Sequence, residues 1–117
     1  MYPLRLVFLL FVLVTQPAGA AAATDAVRFD GLGEFSRPIS TRSPEAQAWF
    51  DQGLAFLYAF NHDEAIRSFT RAAELDPGCA MARWGIALAN GPHINNTAVP
   101  PARAAVAWAE TARAREL

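Results

Sequence analysis

Four side chains in this sequence carry donors that a soft transition metal selects: His62, Cys79, Met81 and His93. A thiolate, a thioether and two imidazoles would suit copper if a fold brought them together. Their irregular spacing matches no metal-ligand pattern, so convergence would need the loop at 91–101 to fold back. Each has a simpler explanation. His62 opens a helix, where packing on a neighbouring helix accounts for it. A lone Cys79 behaves as a small buried hydrophobe. No metal and no cofactor are expected. One Cys excludes an internal disulfide and a multi-cysteine zinc site. Trp49, Trp84 and Trp108 read as core rather than as ligand-stacking groups. The carboxylates cluster at helix starts, where capping explains them, and no Ser/His/Asp constellation is legible. The sequence therefore predicts no catalytic residue and no enzyme.

The elements that would position these groups are helices. The chain has 117 residues, of which 53% are hydrophobic and 18% charged, a globular composition with room for one domain. Its 25 alanines and few β-branched runs favour helix over sheet. All ten basic residues are Arg, and the net charge is −1, which argues against a nucleic-acid footprint.

Residues 1–23 stand apart. Arg5 precedes an unbroken apolar run from Leu6 to Val14, then Gln16-Pro17 and small residues. This order predicts a signal peptide cleaved after Ala20 or Ala23. The run is too short to span a bilayer core, which needs about 20 residues. Removal of Arg5 leaves 9 basic against 11 acidic residues, a balance of −2.

Residues 24–43 show no sustained period and read as an extended lead-in. Phe29, Leu32, Phe35 and Ile39 are its candidates for docking on the helices behind it. Ser43-Pro44-Glu45 is a helix start, with Ser as cap and Pro at the first helical position. That helix runs to about Phe60. Trp49, Gly53, Phe56 and Phe60 share one stripe, and Phe50, Leu54 and Leu57 a second. Asn61 caps a second helix, with Glu64 placed to complete a capping box. Ala65, Phe69, Ala72 and Ala73 form its inner stripe, with Ile66 and Leu75 beside them. Asp76-Pro77-Gly78 ends it. A third helix over about 79–90 is expected to face inward through Ala80, Trp84, Ala87 and Leu88. Gly91-Pro92 stops it. A polar loop leads to Pro100-Pro101 and a fourth helix over 102–117, with Ala105, Trp108 or Ala109, and Ala112 on one face.

Helix, short turn, helix, Asp-Pro, helix is a repeating hairpin, and residues 46–79 resemble one unit of the tetratricopeptide repeat, 34 residues long. Trp49, Gly53, Phe56, Ala65, Phe69, Ala72 and Pro77 stand where that pattern places aromatic, small, aromatic, small, aromatic, small and Pro. Gly53 and Ala65 fall at the helix crossing, where only small side chains allow close approach. A second unit over about 80–117 departs from the pattern, because the loop at 91–101 is too long for a standard turn. Phe60 to Ala65 and Cys79 to Gly85 look like the opening of exported bacterial tetratricopeptide-repeat proteins. The expected fold is all-α: antiparallel helix pairs, about two repeats, stacked as a right-handed superhelical array.

Two functions follow. The resemblance implies a protein- or peptide-binding scaffold, periplasmic or secreted, whose groove comes mainly from the first helix of each pair. It nominates Gln47, Asp51, Gln52, Tyr58, Arg83 and Asn90 as exposed groove positions. No nucleic acid, and no membrane after signal cleavage, is expected as a partner. The alternative is an exported metal- or small-molecule-binding protein using His62, Cys79, Met81 and His93. Asn95-Asn96-Thr97 matches a glycosylation acceptor, but in a bacterial exported protein it reads as chance. The last helix is nearly apolar all round, which predicts neighbours on several sides: a longer repeat array or self-association through open repeat ends.

Overall fold

The computed structural model describes residues 26–117. The expected leader at 1–23 lies outside the described residues. Four helices follow an irregular segment: α1 (Pro44–Tyr58), α2 (His62–Leu75), α3 (Ala80–Asn90) and α4 (Pro101–Glu116). No strand occurs among the described residues, and no helix there is long and apolar enough to cross a membrane. The fold is all-α, built from helical hairpins. Each helix packs on the next in the chain, and α1 also touches α3.

Local chemistry sets the boundaries. Ser43 accepts the Ala46 amide at 3.1 Å, and Pro44 begins α1. Asn61 accepts the Glu64 amide at 3.3 Å. The reciprocal half of the capping box is absent: Glu64 pairs with Arg67, and the Asn61 amide bonds the Phe56 carbonyl instead. α1 stops two residues before Phe60, which turns into the left-handed region at φ 61° and leaves the apolar stripe. Asp76 closes the next turn by accepting the Gly78 amide through its side chain.

The core forms where α1, α2 and α3 meet, around Phe50, Leu54, Phe69, Cys79 and Ile86. Phe69 is fully buried and lies between two glycines on different helices. A Cβ on Gly53 of α1 would stand 2.6 Å from the Phe69 ring, and so would a Cβ on Gly85 of α3. Gly53 is thus the close crossing that the sequence predicts. Gly85 is its counterpart in the second hairpin.

That counterpart rotates α3 away from the expected face. Ala82, Gly85, Ile86 and Ala89 point inward, at the i, i+3, i+4, i+7 positions of a core stripe. Trp84 and Leu88 are 39% and 43% exposed, so two of the four expected inward residues face outward. Only small residues fit against Phe69, and a Trp there would collide. α4 differs likewise. Ala105, Trp108, Ala109 and Ala112 are exposed. The covered row is Arg103, Ala107, Glu110 and Ala114, with Glu110 the buried member. Glu110 is drawn inward by Arg83 of α3 at 3.3 Å and is also paired with Arg113.

Gly85→Ala is expected to destabilise the chain, although Ala in place of Gly favours an exposed helix by up to about 1 kcal/mol. Gly53→Leu should cost about 1–3 kcal/mol through overpacking. Phe69→Leu should be strongly non-additive with Gly85→Ala, because it removes the ring that the new methyl meets. Thermal denaturation of the single and double variants checks this. Unchanged melting in Gly85→Ala would refute the close approach.

Candidate peptide-binding face

The polar side chains of α1 meet the lead-in segment, residues 26–42, which crosses the helix without regular secondary structure. Gln52 is buried, donates to the Val27 carbonyl at 2.8 Å and accepts the Phe29 amide at 3.1 Å. It also donates to Ser68 of α2 at 3.0 Å. Gln47 repeats the pattern one turn below: it donates to the Arg37 carbonyl at 2.9 Å and accepts the Ile39 amide at 3.0 Å. Asp51 accepts the Arg37 amide at 3.0 Å and the Ser36 hydroxyl at 2.6 Å. An amide side chain carries an acceptor oxygen and two N–H donors, and here each glutamine spends one N–H on a carbonyl and its oxygen on the amide two residues later, leaving its second N–H for Ser68 or Asp51.

Side chains add less. Arg28 donates to the Ala48 carbonyl at 2.8 Å and lies over the Trp49 ring at 4.9 Å. Phe29 meets Phe56 edge-on at 5.2 Å, and Phe35 meets Tyr58 edge-on at 6.2 Å. Val27, Phe29, Leu32 and Phe35 all remain partly exposed, and of the four docking candidates Ile39 is packed against the core while Phe29 reaches it through Phe56. Gly31 and Gly33 adopt φ of 77° and 84°, carrying the chain away from α1 between Phe29 and Phe35.

The six groove candidates do not share one exposed surface. Tyr58 is exposed, Gln47, Asp51 and Arg83 are half-buried, and Gln52 and Asn90 are buried. Asn90 turns back to donate to the Ile86 carbonyl at 2.9 Å, and Arg83 is held by Glu110. All four candidates on α1 therefore meet one segment, three by hydrogen bonds and Tyr58 through the Phe35 ring, while Arg83 and Asn90 serve helix packing. The role of Glu110 was not read from sequence, although it is the only acidic residue among the alanines of 102–114 and stands three residues before Arg113. Nothing in the lead-in's own composition marks Ser36 or the backbone at 27–29 and 37–39 as partners of α1.

The metal alternative is corrected by the course of α2. Cys79 and Met81 lie beyond one end of this 14-residue helix and His62 begins the other, about 20 Å away. Cys79 is sealed in the core. His62 instead stacks on His93, with ring centroids 4.0 Å apart and planes 19° apart. Stacked rings aim their nitrogens in parallel planes rather than at a shared ion. His93 is pinned in the α3–α4 loop by its amide on the Asn96 carbonyl at 3.0 Å and its carbonyl on the Asn96 amide at 2.9 Å. Arg103 stands nearby, bonded to Asp63 at 3.1 Å.

Residues 46–79 match the tetratricopeptide repeat family, a stretch that covers α1 from Ala46, all of α2 and the following turn. No curated protein and no solved structure matches the chain.

Desolvation, with the positive charge of His62 and Arg103, holds the His93 imidazolium below its ordinary value of 6.5. The folded chain thus favours neutral His93. Its contribution is full above about pH 6.5 and is lost as pH falls through the lower folded value. His62→Phe keeps a ring on the stack and removes one charge, so His93 should titrate higher. An NMR pH titration of the imidazole protons checks this; a His93 value unchanged by the substitution would contradict it.

Proposed function

We propose that this tetratricopeptide-repeat chain is a binding scaffold for a protein or peptide partner, exported by a bacterium to the periplasm or beyond. The repeat at 46–79 carries the reading. Tetratricopeptide repeats are generally non-catalytic scaffolds whose stacked hairpins present a binding surface to protein partners. Export is supported by the charged, apolar and small-residue order of residues 1–23. N-terminal sequencing of the exported protein should begin at Ala21 or Thr24; an intact Met1 on a membrane pellet would refute export.

The outer face of α3 and α4 supports stacking on a further helical hairpin, from a longer array or from a second copy. Trp108 is 79% exposed, and Trp84 and Leu88 join it on the surface. Met81, Trp84 and Ala114 line one shallow apolar hollow here, and Pro92, Val99 and Trp108 another. Light scattering on the exported chain should therefore show self-association at micromolar concentration, weakened by Trp108→Glu. A compact monomer for both forms would refute the stacking role.

The binding function itself is tested by selecting ligands for the 117-residue chain from a random peptide display library. Ligands are expected at micromolar affinity, and Tyr58→Ala or Asp51→Ala should weaken them at least fivefold. Selection of no peptide, or of peptides indifferent to both substitutions, would count against a scaffold that uses α1.

A further inference from the structure

The geometry points to Gln47, Asp51 and Gln52 of α1 as a backbone-reading peptide site that the lead-in segment occupies in cis. The ligand class is an extended peptide bearing an Arg-aromatic pair, and a partner segment of this kind displaces the lead-in. This deepens the scaffold reading and rests on it.

Three observations carry the inference. First, the site reads main chain. Each glutamine takes a carbonyl and the amide two residues on, from 27 and 29 at Gln52 and from 37 and 39 at Gln47. Asp51 takes the Arg37 amide between them. A strand edge holds a peptide by the same kind of alternating main-chain bonds. Such contacts demand an extended backbone but few particular side chains.

Second, the occupant is held mainly by hydrogen bonds, including one from Thr41 to Asp76 at 2.5 Å. Its large apolar side chains at 27, 29, 32 and 35 remain partly exposed. A segment held by hydrogen bonds near solvent opens at far lower free energy than the core around Phe69. Opening the lead-in leaves the cluster around Phe69 in place, because this segment meets the core at its rim, through Ala26 and Ile39, the Phe29 ring on Phe56 and Arg28 over Trp49.

Third, the side-chain contacts that do exist define a preference. Arg28 reaches both the Ala48 carbonyl and the face of Trp49, and the adjacent Phe29 ring meets the Phe56 edge. An Arg followed by an aromatic residue fills the same positions from another chain. Tethering gives the lead-in an effective concentration in the millimolar range. A competitor then binds with its intrinsic affinity reduced by the fraction of chains in which the site is open, about a hundredfold if one chain in a hundred is open.

The test uses a fluorescein-labelled synthetic peptide of residues 26–42 and fluorescence anisotropy on the 117-residue chain. Phe29→Ala with Ile39→Pro weakens the cis segment, removing the ring contact and the amide that Gln47 accepts. This variant should bind the peptide at least tenfold more tightly than the unaltered chain, and adding Gln47→Ala should reverse the gain. Equal affinities, or no binding with helical circular dichroism retained, would overturn the inference. Hydrogen exchange on the unaltered chain gives an independent reading that needs no variant. The Phe29 and Ile39 amides should exchange by local opening at least a hundredfold faster than the slowest α2 amides; exchange only through global unfolding would overturn the inference. If library peptides bind both chain forms equally, the cis-occupied site fails while the scaffold reading survives. If the labelled peptide exchanges as expected but no library peptide binds, the scaffold reading fails instead.

Discussion

The ring of Phe69 sets the spacing of the three core helices. It lies against both α1 and α3, and the fold accommodates it by leaving Cβ off both flanking helices, at Gly53 and Gly85. Interiors pack at near-crystalline density, so a ring this size fixes how close the helices come and which of their faces turn inward. Phe50 meets the same ring at 5.4 Å and tilts by 51°, filling the space on the α1 side. The facing of α3 follows from it. Small residues in α3 must face Phe69, so Trp84 and Leu88 are turned to the surface.

How much of this the sequence discloses depends on contrast. α1 and α2 alternate large apolar, small and charged residues, so their inner faces are legible from period alone. The Asn61 and Ser43 caps and the Asp76-Pro77-Gly78 turn fix their ends. α3 and α4 lack that contrast. In α3 the inward residues Ala82, Gly85 and Ala89 are small, and a hydrophobicity count favours Trp84 and Leu88 over them. In α4 alanine surrounds the helix, and the decisive residue is charged. Only the pairing with Arg83 explains why Glu110 rather than Trp108 points at α3. A long-range ion pair leaves no local periodic trace.

The polar residues of α1 illustrate a second limit. Gln47, Asp51 and Gln52 read from sequence as a hydrophilic face open to a ligand. The face is hydrophilic because it bonds a segment from the same chain, up to 25 residues away. Buried polar groups need partners, and Gln52 finds three of its own in Val27, Phe29 and Ser68. Sequence reasoning thus picks out the polar positions of α1 but misses the segment that bonds them, since lead-in residues that contribute backbone rather than side chains carry no compositional mark.

α4 is attached on different terms from the other helices. Its contact row against α3 offers two alanines, an arginine and a glutamate, so little apolar area is hidden there. Buried ion pairs add orientation more reliably than net stability, because desolvating both charges offsets much of their attraction. Glu110 with Arg83 therefore specifies which side of α4 faces α3, whereas the exposed Arg103–Asp63 pair adds little. The loop before α4 is held at its base by the His93–Asn96 bridge and the stack on His62. The first hairpin owes its geometry to a packed ring, and the second to charge and stacking at its two ends. Stability is consequently graded along the chain. The Phe69 core is the last part to open, and both the lead-in on α1 and the helix after the loop can loosen without disturbing it.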